Sequence, residues 1–140
     1  MPELDELSAQ RLATCHEDLQ RLVREVARHI PVRVTCGYRS PEEQERLFRL
    51  GKTKARPGQS KHNVLPARAV DIVPLPVDWE ALPRWYYFGG FVKGVAAALG
   101  IAVRWGGDWD GDHDPSNTRF FDGPHFELID DDHQSGPARG

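Results

Sequence analysis

At 140 residues, with 39% apolar and 28% charged, the chain has the length of one domain and the composition of a folded protein rather than a disordered one. A formal net charge of -3 excludes the basic footprint of a nucleic-acid binder. No apolar run approaches membrane-spanning length, the longest candidate being the short stretch Val95 to Leu99.

The first residues, Met1 to Glu6, are acidic and lack the basic and apolar regions of a secretory signal, so synthesis in a cytoplasm is expected. Leu12, Cys15, Leu19, Leu22 and Val26 recur at alternating steps of three and four, which predicts one amphipathic helix over roughly residues 4–29. Val32-Arg33-Val34-Thr35-Cys36 alternates and is rich in β-branched residues, a predicted strand. Ser40-Pro41-Glu42-Glu43 then supplies a serine N-cap, a proline in the first turn and a glutamate at the capping-box position. That helix should run to about Leu50 and end at Gly51.

A basic loop carrying Lys52, Lys54 and Arg56 follows, and Arg68 to Val73 predicts a buried strand closed by Pro74 and Pro76. A helix opening at Pro83 and Arg84 turns Phe88, Phe91, Val92, Val95 and Leu99 inward and stops at Gly100. Ile101 to Trp105 and His125 to Ile129 are two more predicted strands, separated by a long loop from Gly106 to Phe121. Strands separated by helices and long loops predict an α+β domain over residues 1–129, with a frayed polar tail over 130–140. Cys15 and Cys36 match no metal or redox spacing; they are expected as free thiols, on a helix face and at a strand end.

The chemistry is concentrated in two separated segments, Ser60-Lys61-His62 with Ala69-Val70-Asp71, and Asp122-Gly123-Pro124-His125-Phe126-Glu127. His62, Asp71 and His125 offer two imidazoles and a carboxylate, and a catalytic zinc needs three such ligands with one position open for water. Asp122 lies beside the last ligand across a Gly-Pro corner and suits a general acid/base, although a plain turn aspartate is the alternative. Arg39 offers a permanent charge for an oxyanion or, alternatively, a helix-flanking ion pair. Ser60 is placed to bind substrate or to orient His62, and Glu127 to hydrogen-bond His125 from behind. Trp105 and Trp109 read as loop packing rather than as substrate platforms.

Asp108, Asp110, Asp112 and Asp114 put carboxylates at every second residue, as at the opening of a calcium loop. The twelfth position of such a loop falls on Arg119 instead of an acid, and a solvated acidic loop is the alternative. The run Lys52, Lys54, Arg56 and Lys61 suits either a solubilising loop or attraction of an anionic substrate.

Five motifs in this order carry a resemblance: Tyr38-Arg39-Ser40-Pro41-Glu42-Glu43-Gln44, Ser60-Lys61-His62, Ala69-Val70-Asp71, Trp105-Gly106-Gly107-Asp108-Trp109 and Pro124-His125-Phe126-Glu127. Over roughly residues 32–129 the chain resembles the zinc D-alanyl-D-alanine carboxypeptidase family, and within it the phage-type L-alanyl-D-glutamate endopeptidases that serve as endolysins. The resemblance implies a Hedgehog/DD-peptidase-type fold, a small, mostly antiparallel sheet flanked by helices. It further implies zinc on His62, Asp71 and His125, an acid/base at Asp122 and a transition-state arginine at Arg39.

The family's dipeptidase branch uses a glutamate as acid/base, so the aspartate here points to the phage-type branch. The His62-to-Asp71 spacing, running through Asn63 to Arg68, is two residues longer than the family's familiar one. Side chains alternate along a strand, so an insertion of two keeps Asp71 on the same face. The expected substrate is a peptidoglycan stem peptide and the expected assembly a monomer. A lysis enzyme without a signal would reach the wall after release by a separate protein. D-alanyl-D-alanine carboxypeptidase activity, a non-catalytic zinc-binding module and a calcium-sensing interaction protein are the rival readings.

Overall fold

A computed structural model describes residues 4–130, and the tail expected beyond Asp130 lies outside them. Four helices, numbered α1 to α4, are α1 (Glu6–Leu12), α2 (Glu17–Ala27), α3 (Pro41–Arg49) and α4 (Leu82–Leu99). Four strands, β1 (Val32–Cys36), β2 (Ala69–Pro74), β3 (Val103–Trp105) and β4 (His125–Leu128), form one antiparallel sheet in the order β1-β2-β4-β3. The architecture is the α+β arrangement expected from the sequence.

The N-terminal helix is two helices, not one. The stripe of Leu12, Cys15, Leu19, Leu22 and Val26 is buried as the periodicity requires. The backbone nevertheless leaves the helix at Ala13 and pairs with the chain before β2: His16 N–H donates to Ala67 O at 2.8 Å and Ala67 N–H to Thr14 O at 2.8 Å. Cys15 therefore sits in a short bridge to Ala67 rather than on a helix face. His16 restarts the helix, its Nδ1 accepting from Asp18 N–H at 3.0 Å.

Helix α3 starts at Ser40, whose Oγ accepts from Glu43 N–H at 3.1 Å. Glu43 does not complete the capping box; its carboxylate pairs instead with Arg46 at 2.7 Å. Helix α4 ends in a Schellman turn, with Ile101 N–H donating back to Ala96 O at 2.9 Å. That turn occupies Ile101, which is why β3 begins only at Val103.

Both sheet edges are covered. On β1, Ser8 Oγ accepts from Val34 N–H and Arg11 donates to Val34 O; on β3, Lys93 donates to Val103 O. One face of the sheet packs on α4 through Phe88, Val92, Trp105 and Phe126, all at most 3% exposed. Phe126 stacks on Trp105 with centroids 6.3 Å apart and meets Phe88 edge-on. Gly89 lets the Trp105 indole lie against the helix, since a Cβ there would sit 2.2 Å from the ring.

The sheet also fixes the register of the chemistry. Asp71 on β2 is directly opposite His125 on β4, and on its other side it faces Cys36 of β1. The β1–β2 ladder slips between Val34 and Cys36, a bulge that sets the end of β1 beside Asp71. Between His62 and Asp71 the chain passes through an exposed loop at Val64 and Leu65 before β2 begins at Ala69.

Candidate metal centre and catalytic cleft

The structure brings His62, Asp71 and His125 together. Ser60 caps the short turn Lys61–Asn63, accepting from His62 N–H at 3.1 Å, and so carries the imidazole toward β2. At 3% exposure Ser60 faces the interior. His62 Nε2 and His125 Nδ1 each lie 3.1 Å from the same oxygen, Asp71 Oδ1, and the rings meet edge-on with centroids 5.2 Å apart.

The opposite nitrogens decide what these groups can do. His62 Nδ1 is 2.7 Å from Gly37 O, and a carbonyl only accepts, so that nitrogen carries the proton. His125 Nε2 is 2.9 Å from Glu127 Oε1, which is likewise an acceptor. In neutral imidazoles this leaves both inner nitrogens as lone pairs aimed at a carboxylate oxygen. Such convergence is stable only with a cation in the middle or with both rings protonated. In the metal-free protein, burial works against charge on His62, but the Asp71 carboxylate outweighs it and pushes the ring up to about 10. His125 is pushed up to about 9, burial again being outweighed, here by hydrogen bonds to Asp71 and Glu127. Burial alone would raise Asp71, yet the facing imidazolium charges hold it well below the usual carboxylate range.

A divalent ion satisfies the same three groups without protons. Zinc bonds of 2.0–2.1 Å in a tetrahedron put neighbouring ligand atoms about 3.3 Å apart. Both nitrogen-to-oxygen separations are 3.1 Å, close to what two edges of such a tetrahedron require.

Sequence reasoning set Cys36 aside, but its thiol stands close: Cys36, His62 and Asp71 can each offer one donor atom within 4.8 Å of the others. The Cys36 Sγ contact, however, is to His62 Nδ1 at 3.7 Å, the nitrogen already committed to Gly37. We therefore prefer His125, whose free nitrogen points at the Asp71 oxygen that His62 Nε2 shares.

Behind the His125 imidazole, Glu127 is fully buried, with Lys61 and Arg104 facing its outer oxygen at 3.5 and 3.9 Å. Arg39 lies beside the centre, its guanidinium 3.7 Å from Asp71 Oδ2. Gln44, fully buried on α3, holds it: Arg39 donates to Gln44 Oε1 at 3.0 Å while Gln44 Nε2 donates to Ala55 O at 2.8 Å. Asn63 adds a bond to Arg39 O. Neither Gln44 nor Asn63 stands out in the sequence as a site residue; Gln44 ends the Tyr38–Gln44 motif, which is the one signal that marks it.

Asp122 is half-buried and is pinned through its backbone, donating to Gly106 O at 2.8 Å. Gly106 permits this approach, because a Cβ there would lie 2.3 Å from Asp122 O. Burial raises the Asp122 carboxyl above its ordinary value and the Asp71 charge adds to this, while His125, His62 and Arg39 pull it down. A carboxyl so placed is suited to accept and then return a proton. Trp109 tilts over His125 at 5.3 Å and donates to Phe120 O, so it belongs to the cleft wall, whereas Trp105 is core.

The acidic loop has a local explanation. Asp110 accepts from Asp112 N–H, Asp112 from Asp114 N–H and Asp114 from Ser116 N–H, each two residues on. These Asx turns account for aspartates at alternate positions without an ion. Asp108, Asp110 and Asp112 do approach one another within 4.8 Å, but Asp114 caps the turn Pro115–Asn117 and stands outside that group. Calcium gains no support from this arrangement.

Comparison with known proteins agrees with the fold and with the family the motifs resemble. The model of the family described as phage L-alanyl-D-glutamate peptidase matches residues 3–129. The chain is 33% identical over 113 residues to the peptidoglycan L-alanyl-D-glutamate endopeptidase CwlK of Bacillus subtilis (strain 168), a match covering 71% of this chain and 62% of CwlK. The chain thus spans less than two thirds of that relative. Among solved structures it is similar to the L-Ala D-Glu endopeptidase ChiX of Serratia marcescens, with a TM-score of 0.69, 33% identity, and coverage of 87% of this chain and 86% of ChiX. No helix among the described residues is long and apolar enough to cross a membrane. The expectation from five short motifs holds at the level of the whole domain: the chain belongs to the phage L-alanyl-D-glutamate peptidase family.

Proposed function

We propose that this protein is a zinc peptidase that hydrolyses the L-alanyl-D-glutamate bond of peptidoglycan stem peptides. The observation that carries the reading is the convergence of His62 Nε2 and His125 Nδ1 on one oxygen of Asp71, with Asp122 at the adjoining cleft. The names of CwlK and ChiX supply the bond.

His62, Asp71 and His125 hold the ion. Zinc, when bound, polarises the scissile carbonyl and lowers the pKa of its water to about 7. Asp122 accepts the proton of the attacking water and later returns it to the departing amine of the glutamyl residue. Arg39, held by Gln44, presents a fixed positive charge toward the developing oxyanion. Ser60 positions His62 through its backbone. Glu127 fixes the tautomer of His125.

Digestion of purified peptidoglycan by zinc-loaded protein tests this, with new termini read by mass spectrometry. New N-terminal glutamate is expected, and Asp122→Ala should produce none. Release of free alanine would replace the reading with a carboxypeptidase. No cleavage by the zinc-loaded protein would leave a binding module.

A further inference from the structure

A cavity of about 770 Å³ opens between the loop over residues 51–59 and the segment over residues 109–122. Its lining includes Lys52, Lys54 and Arg119 together with Trp109, Phe120 and Asp122. Among the described residues none of these three cations has a carboxylate within ion-pair distance, as is also true of Arg11, Arg24, Arg56, Arg84 and Lys93, but these three converge on one cavity. Three cations line the cavity against the carboxylates of Asp110 and Asp122. Asp122 is assigned to the proton transfer and Asp110 already accepts from Asp112 N–H. The positive charge facing this space is not locally spent.

The walls hold that charge in place. Lys54 Nζ lies 5.0 Å over the ring of Phe120, a cation–π contact that fixes the ammonium at the cavity. Phe120 is 70% exposed and adopts a left-handed backbone, φ 55°, which bulky residues rarely take. Trp109 holds that conformation by donating to Phe120 O at 3.1 Å.

Proton delivery now fixes what enters the cavity. If Asp122 protonates the departing amine, the residue bearing that amine must sit beside Asp122, in the space Asp122 lines. For an alanyl-glutamate bond that residue is glutamate. It has two carboxyls and chain extension uses only one of them, so a free carboxylate enters with it.

Resting on the function proposed above, we propose that this cavity is a carboxylate subsite in which Lys54 and Arg119 bind the free carboxylate of the glutamyl residue on the leaving side of the scissile bond. Lys52 adds to the attracting field. The subsite makes a negative charge next to the bond a requirement of good substrates, not just a tolerated feature.

Two synthetic peptides that contain the alanyl–glutamate bond test the assignment, one with the free carboxylate and one with a carboxamide in its place. Wild-type zinc-loaded protein should prefer the carboxylate peptide by roughly 10- to 100-fold in kcat/KM, the scale of a charge-assisted contact. In Lys54→Met/Arg119→Gln that preference should collapse toward one, chiefly through KM. Zinc content and melting temperature report whether the double variant is folded, and the single variants Lys54→Met and Arg119→Gln, each expected to lose part of the preference, replace it if it is not. Equal cleavage of both peptides by wild type, or a preference that survives in the variants, overturns the subsite while leaving the peptidase standing. Failure of wild type to cut either peptide overturns the peptidase, and the subsite with it.

Discussion

Glu127 Oε1 lies 2.9 Å from His125 Nε2, so a side chain two residues along the same strand decides which nitrogen of His125 faces Asp71 with its lone pair. Removing it frees the imidazole to take the other tautomer or to rotate. Glu127→Ala should weaken zinc binding roughly 10- to 100-fold, as read by competition with a chelator. Glu127→Gln retains an acceptor and should lose less. Equal affinity in wild type and Glu127→Ala would show that the contact does not orient the ligand.

Asp122 must be ionised to accept a proton, and burial with the neighbouring Asp71 charge raises its pKa. Activity should therefore fall as pH drops and Asp122 takes up its proton, a step that the charge of a bound ion shifts to lower pH than in the metal-free protein. Arg39 is one of the charges that lowers this pKa, so Arg39→Gln should move the acid limb of the kcat/KM profile to higher pH as well as reduce the rate. Asp122→Asn should lose about 10²–10⁴-fold in kcat with zinc still bound. An acid limb unmoved by Arg39→Gln would separate the two residues.

Gly106→Ala places a methyl group where Asp122 O now sits, 2.3 Å from the new carbon. A backbone oxygen cannot swing aside, so the Asp122 corner must move. Overpacking of this kind costs about 1–3 kcal/mol, seen as a lower midpoint in urea. Displacement of the acid/base by about 1 Å should cut kcat roughly 10²-fold.

Burial pushes the Cys15 thiol up to about 12, and the residue is 2% exposed. Iodoacetamide at pH 8 should leave Cys15 unmodified in the native protein and alkylate it in urea, as peptide mass spectrometry would show. The folded state keeps its thiol proton where the unfolded chain has lost it. This contribution to stability is intact below about pH 9 and is lost as pH rises toward about 12.

Local chemistry made much of the molecule readable from sequence. Ser40 and Pro41 set the start of α3, the alternation in Val32–Cys36 marked β1, and of the residues expected to face inward from α4, Phe88 and Val92 are buried while Phe91, Val95 and Leu99 are only partly so. What stayed hidden depends on partners distant in the chain. Nothing near Cys15 signals a helix break, because the break is made by Ala67 on another segment. The β1 bulge and the turn of Cys36 toward His62 follow from pairing with β2.

The site divides in the same way. His62, Asp71, His125, Asp122 and Arg39 stand in motifs whose order can be read, but Gln44 is an ordinary helix glutamine until the fold sets Arg39 against it. The aspartates of the 108–114 loop suggested an ion because alternate carboxylates are what a calcium loop needs. Repeated Asx turns need the same spacing, and the two are told apart only by where the backbone N–H groups point. The unpaired charges of Lys54 and Arg119 are likewise visible only once the residues that might have neutralised them are seen elsewhere.

Because Asp71 and His125 are cross-strand neighbours, an ion held by both would depend on how β2 and β4 have aligned. A slip by a single position would turn the His125 imidazole to the far side of the sheet and carry Phe126 out of the core with it, so the packing of α4 on the sheet also guards the geometry of the site.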